Sequence, residues 1–170
     1  MPVAILIGPP GSGKSTVGKA LAKELGSTFS DTDTLIEIKS GKKISEIFVD
    51  EGEPAFRLME AETVLEALHR EKGVLALGGG AILDANSRAA IAEDGASVIF
   101  LDVSISQAAP RVGFNKERPL LLVNPRQQWL ALMEKRRPIY EELADFTFQT
   151  DNKKPAIVAK EIAQRISTHE

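Results

Sequence analysis

The sequence GPPGSGKS, from Gly8 to Ser15, follows five apolar residues and has the spacing of a phosphate-binding loop. Its glycines allow successive backbone N–H groups to curve around a phosphate with no side chain in the way. Lys14 can reach the β- and γ-phosphates of a nucleoside triphosphate, and the Ser15 hydroxyl can bind Mg²⁺. A glycine-rich turn without a ligand is the structural alternative. The full match of the motif, between a predicted strand and a predicted helix, favours the nucleotide site.

Two acids, Asp31 and Asp33, stand two residues apart in the segment SDTD that begins at Ser30. On an extended backbone this spacing points both carboxylates to the same face, where like charges repel. A nearby cation, or a hydroxyl group to be deprotonated, would explain the pair. A turn residue beside a helix-capping acid would also explain it, without any chemistry.

Short apolar segments alternate with helical patterns along the chain. The predicted strands are 3–7, 28–30, 74–77, 97–101 and 146–149, and predicted helices include 15–25, 54–70, 85–92, 104–112 and 155–166, with another starting at 124–125. This alternation predicts βαβ units and a mostly parallel sheet. The glycine-rich loop, the two acids and Gly78-Gly79-Gly80 each follow a strand. Because ligands bind beyond the carboxyl ends of parallel strands, we expect all three at one edge of the sheet.

Several residues predict where helices begin. Pro54 suits the first turn of the long helix, and Asp84 is expected to cap the helix that follows it. Thr34 and Ser45 are the expected caps of two shorter helices. We therefore expect two short helices between the acids and the long helix.

The 170 residues, 43% of them hydrophobic, are enough for one domain with a sizeable core. The formal net charge of −3 gives no general attraction to nucleic acid, so an anionic ligand requires a local concentration of lysine and arginine. The absence of cysteine excludes disulfides, thiolate metal sites and thiol nucleophiles. The N-terminal apolar segment is too short to span a membrane and has no basic segment before it, so we expect a cytoplasmic protein.

A phosphate-binding loop alone does not distinguish GTPases, motor ATPases and small-molecule kinases. A switch GTPase uses an Asn-Lys-x-Asp segment to bind guanine, and the two segments that start at Asn115 and Asn152 both lack the final Asp. An oligomeric ATPase would usually need a longer chain. These observations favour a small-molecule kinase.

Further motifs follow the loop in a fixed order: Asp31-Thr32-Asp33, Gly52-Glu53-x-x-Phe56-Arg57, Gly78-Gly79-Gly80, Arg118-Pro119-Leu120-Leu121 and Arg136-x-Pro138-x-Tyr140. Together they resemble the shikimate kinase family over essentially the whole chain. The resemblance implies an α/β fold, a three-layer α/β/α P-loop kinase with a five-stranded parallel sheet in the order 2-3-1-4-5. It also implies transfer of the γ-phosphoryl group of ATP to the 3-hydroxyl of shikimate, with Mg²⁺ as cofactor, in chorismate and aromatic amino acid biosynthesis.

The resemblance also assigns roles to matching residues. The implied shikimate-binding set is Asp33, Arg57, Gly79, Gly80 and Arg136. The two arginines bind the carboxylate, in agreement with the match between a guanidinium fork and a carboxylate. Asp33 accepts hydrogen bonds from the hydroxyls and either orients the attacking one or also takes its proton. Asp31 and Ser15 serve the metal, Asp31 through bound water.

The implied ATP-binding set is Gly11, Ser12, Gly13, Lys14, Ser15, Thr16, Arg111, Arg118 and Lys153. Arg118 resembles the arginine of a lid, about residues 113–124, that closes over the γ-phosphate and excludes water. Arg111 stacks on adenine, and the segment 152–155, represented by Lys153, lies on its other side. The expected catalytic residues are Asp33, Lys14 and Arg118. We expect a monomeric single domain, 1–170, with its substrate-binding region at about 34–60 and with no nucleic-acid or membrane partner.

Two alternatives to this function remain. Within enzymes, the alternative is a kinase of similar fold for another hydroxy acid such as gluconate, because the pair Arg57 and Arg136 indicates only a carboxylate. From another class, the alternative is a nucleotide-binding regulatory protein without turnover. The intact set of Lys14, Asp31, Asp33 and Arg118 is evidence against the second alternative.

Some side chains near the motifs have two interpretations. Glu60, one turn after Arg57, either pairs with it and holds its fork or is an ordinary helix residue. Phe56 either walls the substrate pocket or packs in the core. Trp129 is expected in the core, and Arg137 is expected to be a solvated helix residue.

Overall fold

The computed structural model describes residues 1–112 and 124–169. Its strands are β1 (Ala4–Ile7), β2 (Phe29–Asp31), β3 (Val74–Ala76), β4 (Ser97–Asp102) and β5 (Phe146–Gln149). They form one parallel sheet in the order β2-β3-β1-β4-β5. This order confirms the sheet implied by the family resemblance. Each predicted strand is present, with its ends shifted by at most one residue.

Helices occupy the connections between the strands, and one more helix follows the last strand. They are α1 (Lys14–Glu24), α2 (Thr32–Ser40), α3 (Ile44–Asp50), α4 (Glu53–Arg70), α5 (Ala85–Glu93), α6 (Ile105–Val112), α7 (Pro125–Leu143) and α8 (Pro155–Ser167). Pro54 lies in the first turn of α4, and Asp84 caps α5 by accepting the Ser87 N–H, both as predicted. Within residues 1–112 and 124–169, none of these helices is both long and apolar enough to cross a membrane.

The prediction that Thr34 caps α2 is wrong. The helix begins directly after β2, and its cap is Asp31, whose Oδ1 accepts the Asp33 N–H at 2.9 Å. A carboxylate in the cap position satisfies an N–H that the first helical turn leaves unpaired. Because the helix starts between the two acids, Asp31 ends a strand and Asp33 belongs to a helical turn, so they do not share the face of one extended segment.

The prediction that Ser45 caps α3 is also wrong. The helix begins at Ile44, after Lys43, which makes no side-chain capping bond. The Ile44 N–H instead donates to Glu37 Oε2 at 3.0 Å. A carboxylate from the neighbouring helix α2 therefore satisfies a free N–H at the start of α3, which local sequence patterns do not indicate.

The sheet is covered on both faces, because the side chains of β1 alternate between two hydrophobic clusters. Ile5 and Ile7 pack with residues of α4, α5 and α7, whereas Ala4 and Leu6 pack with residues of α1 and α8. All four residues of β1 are buried, and a fully buried isoleucine or leucine contributes about 1.5–3 kcal/mol relative to exposure. This three-layer packing fixes the carboxyl end of β1, where the glycine-rich loop begins.

A third, smaller cluster joins α2, α3 and α4. It consists of the buried side chains Ile36, Ile47 and Phe56. The Phe48 ring packs beside Phe56, with ring centres 4.9 Å apart. Phe56 is therefore a core residue of this helical group, next to Arg57 on the same helix.

Candidate active site

The glycine-rich loop joins β1 to α1 at the carboxyl edge of the sheet. Gly13, directly before α1, has a φ of 90°, a left-handed conformation that favours glycine. A Cβ on Gly8 would lie 2.6 Å from the Leu101 carbonyl oxygen of β4, so the backbone can approach β4 only without a side chain. The free N–H groups and positive dipole end of α1 face this loop, an arrangement that binds phosphate.

The Lys14 side chain is buried within the loop. Its Nζ donates hydrogen bonds to the carbonyl oxygens of Gly8, at 2.8 Å, and Pro9, at 3.0 Å. These bonds hold the ammonium charge beside the N-terminal end of α1. A phosphate that enters the loop would therefore meet a cation already in place.

Ser15 and Asp31 lie side by side, with Ser15 Oγ donating to Asp31 Oδ2 at 2.8 Å. A hydroxyl and a carboxylate are oxygen donors of the kind that Mg²⁺ prefers, and Mg²⁺ commonly takes one or two protein oxygens together with water and substrate phosphates. The described residues contain no cluster of three or more acidic, histidine or cysteine side chains that could hold a metal. A hydroxyl beside a carboxylate fits an ion that arrives with a nucleotide.

Asp33 and Glu60 approach each other across Gly78. A Cβ on Gly78 would lie 2.7 Å from Asp33 Oδ1 and 2.8 Å from Glu60 Oε2, so a side chain there would displace both carboxyl groups. The buried Thr32 Oγ1 accepts the Gly78 N–H at 3.0 Å and fixes this glycine beside α2. Burial raises the pKa of the Glu60 carboxyl, Arg57 opposes the rise, and Asp33 adds to it.

Arg57, in the first half of α4, is held by two carboxylates. Its Nη1 donates to Glu60 Oε1 at 2.7 Å, and its Nη2 lies 3.5 Å from Glu53 Oε1. Its guanidinium carbon is 5.3 Å from the centre of the Phe56 ring. A Cβ on Gly80 would lie 2.5 Å from Arg57 Nη1. The pairing of Glu60 with Arg57 is confirmed, and the guanidinium fork is fixed beside the triple glycine.

Arg136 reaches the same glycines from α7. Its side chain is buried, and its Nε makes no hydrogen bond within the described part of the chain. A Cβ on Gly79 would lie 3.4 Å from Arg136 Nη1. Tyr140, one turn further along α7, donates to the Gly79 carbonyl oxygen at 2.6 Å. A buried guanidinium with an unused N–H, near the fork of Arg57, is suited to bind a carboxylate.

The two residues expected to contact adenine lie on neighbouring segments. Arg111, near the end of α6, donates from Nη1 to the Gly11 carbonyl oxygen of the loop at 2.7 Å. Lys153 lies between β5 and α8, and the preceding Asn152 accepts a hydrogen bond from Gln107 of α6 at 3.4 Å. The structure therefore brings the 152–155 segment close to the helix that carries Arg111.

The remaining residues of the expected ATP-binding set differ in burial, and one of them lies outside the described residues. Ser12 is buried, and its Oγ makes no hydrogen bond within the described residues, whereas Thr16 is exposed in the first turn of α1. Arg118 lies outside the described residues, as does all of the expected lid except Asn124. Its proposed contact with the γ-phosphate stays a prediction.

Two contacts near the site have partners that the sequence does not indicate. Trp129 is buried as expected, but its Nε1 also donates to the Pro10 carbonyl oxygen of the loop at 2.8 Å. Arg137 keeps 39% of its side chain exposed, as expected of a solvated helix residue, but it also donates from both Nη atoms to Asp102, at 2.8 and 3.0 Å. The sole signal available was the tendency of a buried indole N–H to find a partner. Nothing in the local sequence indicated the partner of Arg137.

Comparison with protein families gives a consistent result. The family model described as shikimate kinase matches residues 10–167. A curated protein named shikimate kinase from Streptomyces coelicolor is 52% identical over 159 residues, which cover 94% of this chain and 92% of that protein. Another with the same name, from Thermobifida fusca, is 50% identical over 165 residues, which cover 97% of this chain and 95% of that one.

Solved structures show the same relationship. The shikimate kinase from Acinetobacter baumannii, in complex with shikimate, superposes with a TM-score of 0.95 at 39% identity, covering 98% of this chain and 93% of that chain. A gluconokinase from Sinorhizobium meliloti gives a TM-score of 0.60 at 20% identity over 98% of this chain and 91% of that chain. The second likeness shows a shared fold alone.

Proposed function

This chain belongs to the shikimate kinase family, and we propose that its active site transfers the γ-phosphoryl group of ATP to the 3-hydroxyl of shikimate. The products are shikimate 3-phosphate and ADP. The observation that carries the proposal is the buried Arg136, with an unused Nε–H, beside the triple glycine that Arg57 also reaches. Two fixed guanidinium groups close to a phosphate-binding loop suit a small carboxylate that receives a phosphoryl group.

The nucleotide half of the site is the loop with the start of α1. We assign phosphate binding to Gly11, Ser12, Gly13, Lys14, Ser15 and Thr16, and adenine binding to Arg111 and Lys153. The loop backbone and the helix dipole offer N–H groups to the phosphates, while Lys14 adds a full positive charge. The hydrogen bond from Arg111 to Gly11 supports its place beside the nucleotide.

The acid half of the site is the triple glycine with the arginines around it. We assign shikimate binding to Asp33, Arg57, Gly79, Gly80 and Arg136. The arginines hold the carboxylate, and Asp33 lies near enough to the same glycines to accept hydrogen bonds from the hydroxyls. Holding the shikimate carboxylate at one end and the reacting 3-hydroxyl at the other fixes the direction in which that hydroxyl attacks.

In the reaction, the oxygen of the 3-hydroxyl forms a bond to the γ-phosphorus while the bond between that phosphorus and the β,γ-bridging oxygen breaks. Lys14 stabilises the negative charge on the phosphoryl group and on the departing ADP. Asp33 orients the hydroxyl by accepting its hydrogen bond. Because the transition state is loose, the hydroxyl proton leaves late, when the new bond to phosphorus has largely formed, and it passes to the Asp33 carboxylate, which later releases it to solvent. Orientation of the hydroxyl therefore provides most of the effect of Asp33.

Ser15 and Asp31 would hold Mg²⁺ in this site. Their oxygens are already adjacent, so Ser15 could contact the ion directly while Asp31 could hold it through bound water. When bound, the ion neutralises charge on the β- and γ-phosphate oxygens. Asp31 also caps α2, so the same side chain fixes the helical turn that carries Asp33.

We also propose a cytoplasmic monomer with its substrate-binding region at about residues 34–60. The separate hydrophobic cluster of α2, α3 and α4 supports a distinct substrate-binding group of helices. Cytoplasmic ATP would supply the phosphoryl group.

ADP release tests the proposed function directly. We expect release in the presence of ATP and Mg²⁺ to be stimulated by shikimate, but not by gluconate or by buffer alone, and to stop when EDTA removes the metal. A coupled assay for ADP, with product identified by mass spectrometry, gives the measurement. Release stimulated by gluconate instead would favour a different kinase, and the absence of any stimulated release would favour a binding protein without turnover.

Replacing Gly80 by alanine is expected to weaken shikimate binding without unfolding the protein. Gly80 has a φ of −96°, which alanine adopts, but the new Cβ would lie 2.5 Å from Arg57 Nη1 and push the guanidinium aside. We expect the KM for shikimate to rise about tenfold while the KM for ATP changes less than about twofold. Steady-state kinetics measures both constants. An unchanged KM for shikimate would mean that shikimate binding does not depend on the present position of the Arg57 guanidinium.

A further inference from the structure

Arg137 and Asp102 form a paired contact between α7 and the end of β4. Arg137 Nη1 and Nη2 donate to the two Asp102 oxygens at 2.8 and 3.0 Å, a bidentate geometry. The guanidinium carbon also lies 5.8 Å from the centre of the Phe100 ring. The Asp102 side chain is 19% exposed and that of Arg137 is 39% exposed. The fork is therefore held in one orientation against the sheet by two charged hydrogen bonds and an aromatic face.

The contact lies next to Pro138, where α7 lacks one of its backbone hydrogen bonds. Pro138 is inside the helix, so it has no N–H to donate to the carbonyl oxygen of Glu134, and its ring crowds that carbonyl. A helix with proline in its interior tends to bend at this point. The position of the preceding turn, which carries Arg136 and Arg137, therefore depends on contacts outside the helix.

External contacts hold α7 on both sides of Pro138. On the far side, Tyr140 donates to the Gly79 carbonyl oxygen at 2.6 Å, and its ring stacks 5.0 Å from that of Phe100. On the near side, Arg137 is fixed to Asp102. Arg136 directly precedes Arg137, one helical turn before Tyr140, and keeps its Nε–H unused within the described residues.

We propose that Arg137 is a positioning residue for shikimate binding: its fork on Asp102 fixes the turn of α7 that aims Arg136 at the shikimate carboxylate. Arg137 does not touch the substrate in this arrangement and acts through its neighbour. The inference rests on the proposed function, because it requires Arg136 to bind the carboxylate. Loss of the fork would let the turn before Pro138 shift, and a displacement of that kind lowers affinity for the group that Arg136 holds.

The chain offers a matched control on the same arginine. Glu141, on the next turn of α7, lies 3.8 Å from Arg137 Nη1, with a side chain that is 57% exposed. Exposed pairs of this kind contribute little. Glu141→Gln therefore removes a charge beside Arg137 while leaving the fork on Asp102 intact.

The test compares Arg137→Met, Arg137→Lys and Glu141→Gln with the unaltered chain. For Arg137→Met we expect the Kd and KM for shikimate to rise about tenfold, with the KM for ATP changed less than about twofold and kcat less than about threefold. Lysine keeps the charge but not the bidentate fork, so Arg137→Lys should give a smaller rise. Glu141→Gln should match the unaltered chain. Calorimetric titration with shikimate and steady-state kinetics provide the constants.

A purely structural contact would lower the melting temperature of Arg137→Met and leave its Kd for shikimate unchanged, and that result would overturn the inference. If Arg137→Met does not fold, Arg137→Lys decides the question in the same way, by a raised or an unchanged Kd. An unaltered chain that does not bind shikimate would instead refute the proposed function. The two failures are therefore distinguishable.

Discussion

Asp33→Asn is expected to lose most of its turnover while still binding ATP. Asparagine has nearly the same shape, but it lacks the negative charge that attracts the hydroxyl proton. We expect kcat to fall about 10²- to 10⁴-fold, the range associated with a single positioned acid or base. The Kd for ATP should change less than about twofold, because asparagine keeps the shape of the side chain and the loop and the start of α1, which bind the phosphates, are unaltered. Single-turnover kinetics and calorimetry with ATP measure these quantities.

Asp84→Asn is a matched control for this change. Asp84 caps α5, away from the loop, and asparagine caps helices about as well as aspartate. This variant should keep normal turnover, which would show that exchanging an aspartate for an asparagine is harmless elsewhere. Near-normal turnover in Asp33→Asn would remove Asp33 from its proposed role.

Lys14→Met is expected to impair both ATP binding and turnover. The Lys14 ammonium is buried in the loop and fixed by the Gly8 and Pro9 carbonyl oxygens, so it acts on the phosphates with little solvent screening. Methionine has a similar length but no charge and no donor. We expect the Kd for ATP to rise at least about tenfold and kcat to fall about 10²- to 10³-fold, as for other preorganised donors.

Lys19→Met on the same helix is the control for Lys14→Met. Lys19 is an exposed residue of α1, so its replacement should leave the Kd for ATP and kcat unchanged. Circular dichroism and thermal unfolding would show that both variants remain folded. Unaltered ATP binding and turnover in Lys14→Met would contradict the proposed role of the loop lysine.

The sheet and the loop were predictable because their signals are short and local. Four consecutive apolar residues of β1 are followed at once by glycines, a lysine and a serine at fixed spacing, and the structure retains this order. The prediction that Asp84 caps α5 succeeded because the cap and its Ser87 N–H partner are three residues apart. Interactions within one helical turn or one strand are encoded in the residues themselves.

Most of the misses involve partners that are distant in the sequence or on another element. The Thr34 cap fails for a local reason, because β2 runs directly into α2 and Asp31 takes the position, whereas the Ser45 cap fails because Glu37 of α2 accepts the first N–H of α3. Trp129 and its Pro10 partner are 119 residues apart, and Arg137 and Asp102 are 35 apart. Such pairs form only when the sheet order has placed the segments together. Side-chain type alone does not identify them.

The hydrogen bonds of Trp129 and Tyr140 have an optical consequence. They are the only tryptophan and the only tyrosine of the chain, and one donates to the phosphate-binding loop while the other donates to the triple glycine. Indole can be excited at wavelengths where phenol does not absorb, so its fluorescence would report on the nucleotide half of the site. Changes in phenol absorbance would report on the acid half. The unlabelled protein thus contains one spectroscopic reporter for each substrate, and the order in which ATP and shikimate bind can be followed without modifying it.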